Sequence, residues 1–178
     1  MKKLVLIVHN IRSIYNVGAI LRTCDGLGVD SVVFSGYTPY PGKGLPHERE
    51  KLRTAIHKTA LGAEESVNWR YVDDVLGCLE GYRGKGFEIL ALEQGKGSVS
   101  LAEFGGLQRD SVLVLGEEVT GVSAEILAAC DRLIEIPMKG EKESFNVAVA
   151  AGMAMWELIG RRVAVVGSDR RQSGCVIE

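Results

Sequence analysis

Three short segments of the sequence combine polar side chains with glycine in patterns that could bind a ligand. The first runs from Asn10 to Thr23, where an apolar run gives way to a helical pattern. Open α/β sheets place their ligands at such strand ends. Arg22 lies about 140° round a helix from Val17, so we expect it to point away from the apolar stripe. Taken alone, the segment is more simply explained by solvated Arg12 and Arg22, with Asn16 as a helix N-cap.

The second segment, from Gly116 to Ser123, follows another apolar run and contains Gly-x-Glu-x-x-Gly. Glycine lets a ligand approach the backbone closely. The segment has neither the Gly-x-Gly-x-x-Gly of a dinucleotide site nor the Lys-Ser/Thr pair of a phosphate loop, and its two glutamates disfavour a phosphate ligand. Spacing alone also allows a plain turn into a helix with Ser123 as its N-cap.

The third segment reads Ile-Pro-Met over residues 136–138 and Ser-Phe-Asn-Val over residues 144–147. Ser144 or Asn146 can cap the helix that follows. Small residues then share one helix face at positions 148, 151, 152 and 155, so a neighbouring backbone can come close. This pattern indicates tight packing within the subunit, packing across a dimer, or an ordinary helix with a small-residue face.

The composition limits the partners of the protein. The 178 residues are 46% apolar and suffice for one domain, without an apolar run near the roughly 18 residues of a membrane span. We therefore expect a cytoplasmic protein. The formal net charge of −2 is unusual for a nucleic-acid binder, so RNA contact would require a local patch. Residues 37–60 provide one, with five basic residues against two acidic ones: Lys43, Arg49, Lys51, Arg53 and Lys58 against Glu48 and Glu50.

Four cysteines lie far apart, without a Cys-x-x-Cys pair or a histidine cluster. This pattern predicts reduced thiols and no metal site.

The elements that position the three segments alternate between strand and helix. Hydrophobic patterns predict strands at 4–8, 31–35, near 69, 87–92, 112–115 and 133–136, and helices at 16–27, 51–57, 75–82, 124–129 and 147–159. This alternation predicts an α/β fold with a mostly parallel sheet and helices on both faces. We expect one domain over residues 1–162. Residues 163–178 are expected to form a tail that is either disordered or packed on a partner.

Together, the three segments resemble the three motifs of the SpoU/TrmH family of the SPOUT superfamily of RNA methyltransferases. The motifs are Asn-x-Gly-x-x-x-Arg, Gly-x-Glu-x-x-Gly, and Ile-Pro-Met followed by Ser-x-Asn-Val, and the resemblance runs from His9 to about Leu158. It implies a C-terminal deep trefoil knot, an exception to the rule against threaded chains. It also implies S-adenosylmethionine as the cofactor and a homodimer in which the first motif of one subunit reaches the cofactor of the other.

The resemblance also assigns roles to residues. It implies methyl transfer to a ribose 2′-hydroxyl of tRNA or rRNA, with Arg22 as the central catalytic residue. Because a protonated guanidinium is a poor base, we expect Arg22 to orient a phosphate or stabilise an alkoxide while a phosphate oxygen takes the proton. Asn16 is expected to hold Arg22, Glu118 to order the cofactor loop, and Ser144 with Asn146 to shape the pocket. The cofactor-binding residues implied are Leu92, Leu115, Gly116, Gly121, Ile136, Pro137, Met138 and Phe145.

Two features depart from the family. Phe145 stands where leucine is common, which is expected to alter packing against the adenine. The sequence also shows no separate RNA-binding domain. The residues expected to bind RNA are therefore Arg12, Lys43, Lys51, Arg53 and Lys58.

Two other functions are compatible with the same residues. One is a knotted protein that binds the cofactor and RNA without methylating it. The other is a nucleotide-dependent α/β enzyme for a small molecule, which the acidic net charge favours and the missing nucleotide motifs oppose.

Overall fold

All seven strands described lie parallel in a single sheet of order β3-β2-β1-β6-β4-β7-β5. The computed structural model describes residues 2–159. In chain order the elements are β1 (Leu4–His9), α1 (Ile14–Leu27), β2 (Ser31–Ser35), α2 (Pro46–Ala60), α3 (Ala63–Ser66), β3 (Trp69–Val72), α4 (Val75–Arg83), β4 (Glu88–Leu92), β5 (Val99–Ser100), α5 (Leu101–Phe104), β6 (Ser111–Leu115), α6 (Ala124–Ala128), β7 (Arg132–Glu135) and α7 (Val147–Leu158).

Helices cover both faces of the sheet, which confirms the predicted fold class. Successive side chains of a strand point to opposite faces. In β1, Leu4 and Leu6 belong to a core shared with α1, α2 and α7, whereas Val5 and Ile7 belong to a second core shared with α4 and α6. A strand buried on both faces is a nearly continuous apolar run, as β1 is from Leu4 to Val8 and β6 is from Val112 to Leu115.

The order of the strands brings distant loops to one edge. β6 lies between β1 and β4, and β4 lies between β6 and β7. Because the strands are parallel, their carboxyl ends share an edge. The segments after β1, β4, β6 and β7 therefore meet there.

Helix α1 begins earlier than predicted. Ser13 is its N-cap, and its hydroxyl accepts a hydrogen bond from the Asn16 backbone at 3.3 Å. The prediction of Asn16 as the N-cap is therefore wrong, because Ser13 already performs that role and Asn16 lies in the first turn. The predicted stop at Gly28 is confirmed by its left-handed φ of 68°.

Helix α2 is longer than predicted because its start is well capped. Pro46 occupies the first turn, where its fixed φ suits a helix. The Glu48 carboxylate accepts a hydrogen bond from the Leu45 backbone at 2.8 Å. The helix packs closely on α1, since a Cβ added to Gly18 would lie 2.1 Å from Thr59 Oγ1.

Three short elements, α3, β5 and α5, were not predicted, because two to four residues carry too little periodicity. No helix within residues 2–159 is long and apolar enough to cross a membrane. The trefoil knot stays a prediction. Residues 163–178, predicted as a tail, lie outside the described part of the chain.

Candidate active site

A cavity of about 250 Å³ opens at the carboxyl ends of β4, β6 and β7. One part of its wall is apolar, formed by Leu92, Leu115, Ile134, Ile136, Val147 and Ala150. Five glutamates also line the cavity: Glu93, Glu117, Glu118, Glu135 and Glu143. None of the described lining residues is lysine or arginine. The cavity therefore suits a ligand that is part apolar and part cationic.

The loop after β6 is folded back tightly on itself. The backbones of Glu117 and Gly121 exchange two hydrogen bonds, both at 3.0 Å. A Cβ on Gly116 would lie 2.3 Å from the Gly121 carbonyl carbon, and Gly121 has a φ of 70°. Both predicted glycines are thus required by the backbone, and both line the cavity.

Sequence analysis missed two residues after β4: Glu93, which binds this loop, and Gln94, which binds the segment after β7. Glu93 Oε2 accepts a hydrogen bond from the Val122 backbone at 3.0 Å. Gln94 Nε2 donates to the Glu143 carbonyl at 2.8 Å. The signal available in the sequence was their position: both are polar and directly follow the apolar strand β4.

Glu118 connects the first and second motifs. Its Oε2 accepts from the Arg12 backbone at 3.1 Å, and its Oε1 accepts from the Ser13 backbone and from Asn16 Nδ2, both at 3.2 Å. Burial alone would raise the pKa of Glu118, but the backbone hydrogen bonds from Arg12, Glu118 itself and Ser13, with that of Asn16, lower it overall. The carboxylate is therefore held ionised.

Asn16 continues this network to the third motif. Its side-chain oxygen accepts from Asn146 Nδ2 at 3.1 Å. Asn146 also caps α7, accepting from the Ala148 backbone at 3.0 Å. The amide of Asn16 is thus committed to Glu118 and Asn146, which corrects the expectation that it holds Arg22.

Arg22 is exposed on α1, as its helical position predicts, and does not line the cavity. Four other predicted residues are also outside the lining: Asn16, Asn146, Pro137 and Met138. Asn146, expected to shape the pocket with Ser144, instead caps α7 and binds Asn16 beside it. The chain leaves the cavity after Ile136 and returns to it at Glu143, so the residues between them do not contribute. The predicted Ser144 and Phe145 do line it.

The predicted RNA-binding residues differ in their pairing. A guanidinium nitrogen of Arg12 lies 2.5 Å from Glu117 Oε1, and one of Arg53 lies 2.5 Å from Glu65. The Lys43 ammonium donates to the Tyr37 carbonyl at 2.7 Å. Lys51 and Lys58 are exposed on α2, with no ion pair to residues 2–159.

No group of side chains within residues 2–159 has the composition and spacing to hold a metal ion. The thiols of Cys24, Cys78 and Cys130 are free.

The chain is similar to known proteins over most of its length. The profile of the SpoU rRNA Methylase family matches residues 3–156. A protein of Aquifex aeolicus named tRNA (guanosine(18)-2'-O)-methyltransferase is 34% identical over 88% of this chain and 68% of its own. A protein of Xanthomonas axonopodis named 23S rRNA (guanosine-2'-O-)-methyltransferase is 31% identical over 91% of this chain. The chain spans only 60% of that second relative.

Solved structures share the fold. The TrmH/SpoU tRNA modifying enzyme of A. aeolicus superposes with a TM-score of 0.76 and 31% identity, over 91% of this chain and 76% of that one. An AdoMet-bound rRNA methyltransferase of Sinorhizobium meliloti gives a TM-score of 0.79 at 21% identity, over 92% of this chain and 57% of that one. With three motifs joined at one sheet edge and a profile match over nearly its whole described length, this chain belongs to the SpoU rRNA methylase family.

Proposed function

We propose that the protein transfers a methyl group from S-adenosylmethionine to a ribose 2′-hydroxyl of RNA. The observation that carries the proposal is the cavity, which apolar residues and five glutamates line, without lysine or arginine among the described lining residues. The names of the relatives support it, because both are 2′-O-methyltransferases. One is named for tRNA and the other for 23S rRNA, so the proposal covers RNA in general.

The lining of the cavity fits S-adenosylmethionine. When bound, this cofactor supplies an electrophilic methyl group on a positively charged sulfur. Leu115, Ile136 and Phe145 form an apolar wall suited to an aromatic ring such as adenine. Gly116 and Gly121 let the loop after β6 fold back tightly, and both line the cavity. The carboxylates complement a cation and repel a phosphate, which argues against the alternative of a nucleotide-dependent enzyme.

Arg22 is the residue that we propose acts on the RNA. Its guanidinium stays protonated, so it cannot accept the proton of the 2′-hydroxyl. It orients the neighbouring phosphate and stabilises the negative charge that develops on the 2′-oxygen. A phosphate oxygen of the RNA takes the proton.

Because Arg22 lies outside the cavity of its own subunit, we assign it to the cavity of a second copy in a homodimer. An apolar strip on α7 supports this assignment: Val149, Met153 and Trp156 are exposed at helical spacing, Trp156 by 54%. Phe145 is also exposed and lines the cavity, so the strip continues to the site. A second copy that covers the strip lies beside the cavity.

Sedimentation velocity tests the homodimer. Trp156→Glu places a charge in the strip and should convert a dimer into a monomer. Leu61→Glu is the matched control, because Leu61 is equally exposed, at 55%, and lies outside the strip. A wild-type monomer, or a Trp156→Glu dimer of unchanged affinity, contradicts the assignment.

Lys51 and Lys58 are the residues of the basic patch that we propose meet RNA phosphates first. They lie seven positions apart on α2, hence on one side of the helix and about 10 Å apart. Their ammonium groups are not engaged in ion pairs with the described chain, unlike the guanidinium groups of Arg12 and Arg53. Each alanine substitution should lower the slope of log affinity against log salt by about one.

We place the protein in the cytoplasm. The described cysteines are free thiols, which are typical of a reducing compartment, and cellular tRNA and rRNA are met there.

The decisive experiment supplies labelled S-adenosylmethionine and total RNA to the purified protein. Label should appear in the RNA as 2′-O-methylribose. Arg22→Ala should bind the cofactor with unchanged affinity in calorimetry but lose about a hundredfold in rate, the effect of removing one charge-stabilising group. Lys85→Ala, an exposed cation far from the motifs, is the control. Cofactor binding without labelled RNA would instead indicate a binding protein without methyltransferase activity.

A further inference from the structure

Glu117 lies at the boundary between the cavity and the outer surface. It lines the cavity, and only 12% of its side chain is exposed. Its ion-pair partner Arg12 is 68% exposed and faces the solvent. One ion pair therefore extends from the inside of the site to the surface where RNA would approach.

The two carboxylate oxygens of Glu117 have different contacts. Oε2 accepts a short hydrogen bond from the Thr120 hydroxyl. Oε1 is shielded from solvent and lies 2.5 Å from a guanidinium nitrogen of Arg12, without a hydrogen bond of ordinary geometry. Hydrogen bonds from Thr120 and Tyr37, together with the charge of Arg12, lower the pKa of Glu117. Oε1 therefore depends on the charge of Arg12, and a better-placed cation can replace that contact.

Arg12 also has a stronger partner available. A guanidinium binds phosphate through two parallel hydrogen bonds, which its contact with Glu117 lacks. An RNA phosphate would therefore compete with Glu117 for Arg12 and leave Glu117 on the cavity wall without its cationic partner, although the hydrogen bond from Thr120 remains.

We propose that Glu117 is shared between two positions, holding Arg12 when RNA is absent and facing the cationic cofactor when an RNA phosphate takes Arg12. This inference rests on the proposed function. RNA binding then strengthens cofactor binding, and by thermodynamic linkage the cofactor strengthens RNA binding by the same factor.

Calorimetric titration with S-adenosylmethionine tests the sharing without RNA. Arg12→Gln releases Glu117 and should tighten cofactor binding about threefold, the size expected of one partly exposed ion pair. Glu117→Gln should bind the cofactor no more tightly than the wild type, and the double variant should match Glu117→Gln. Glu125→Gln removes an exposed carboxylate nearby in the chain and should change nothing. Thermal melting confirms that each variant is folded.

A second titration adds total tRNA and rRNA at saturation. RNA should tighten cofactor binding to the wild type about threefold and have no effect on Arg12→Gln or Glu117→Gln. Equal or weaker cofactor binding by Arg12→Gln overturns the inference. A wild type that methylates RNA but binds the cofactor equally with and without it overturns the inference and leaves the proposed function intact. A wild type that does not bind the cofactor overturns both.

Discussion

Replacing Glu118 by glutamine should destabilise the protein by about 2 kcal/mol, although the two side chains are nearly the same size. The carboxylate accepts three hydrogen bonds, from the backbones of Arg12 and Ser13 and from Asn16 Nδ2. Glutamine keeps one oxygen acceptor and turns an NH₂ group toward a backbone donor. One charge-assisted hydrogen bond is thereby lost and two donors face each other, a change worth about 1.5–3 kcal/mol. Because the site is partly exposed, we expect a value near the lower end.

Urea unfolding at pH 7 measures this loss, with an unchanged m-value expected for a variant that keeps its compactness. The exposed Glu125→Gln is the control and should stay within about 0.5 kcal/mol of the wild type. The pH dependence is a second readout. The folded pKa of Glu118 lies below the ordinary 4.5, so its contribution is complete above that value and is lost as the pH falls through the folded pKa.

The difference between wild type and Glu118→Gln should therefore be constant from pH 7 to about 5.5 and shrink below 4.5. A Glu118→Gln variant as stable as the wild type at pH 7 would refute the view that this carboxylate joins the two motifs. A loss that stays the same down to pH 3 would refute its assignment to the ionised form.

Three further predictions concern backbone contacts and burial. Gly18→Ala should destabilise by about 2 kcal/mol in urea unfolding, because its Cβ would meet α2, whereas Gly26→Ala in the same helix has open space and should stabilise by about 0.5–1 kcal/mol. Gly121→Ala should abolish measurable binding of S-adenosylmethionine in calorimetry, since its Cβ would lie 2.1 Å from Glu93 Oε2 and its φ of 70° is strained for alanine. Burial raises the pKa of Cys24 to about 12, so mass spectrometry should find this thiol unalkylated after iodoacetamide treatment of the native protein at pH 8, and modification before unfolding would contradict its burial.

The sequence predicted the elements well because β1 and β6 are mostly apolar and α1 carries a clear helical stripe. It also identified Gly116 and Gly121, where a strand ends in glycines. The N-cap was ambiguous for a local reason: Ser13 and Asn16 both have capping side chains three residues apart, and the pattern of the helix interior does not separate them.

The network around the site was harder to predict because it depends on strand order. Glu93 follows β4, and nothing local indicates that β4 lies beside β6, whose loop Glu93 contacts. The pairing of Asn16 with Glu118 and Asn146 joins residues more than a hundred positions apart. Helical geometry did predict that Arg22 is exposed, but it could not predict that Arg22 is not among the residues that line the cavity of the same subunit.

The position of β1 in the sheet has a consequence for the protein's synthesis. β1 pairs with β2, which follows it closely, and with β6, where Leu4 is opposite Ser111. At ribosomal rates of about 5–20 residues per second, one edge of β1 stays unpaired for roughly 5–20 seconds until β6 is synthesised. β5 likewise stays unpaired until β7 is synthesised, because β7 is its only neighbour among the strands of residues 2–159. The nascent chain therefore exposes an apolar strand edge until β6 leaves the ribosome, and this interval is when chaperone binding should matter most.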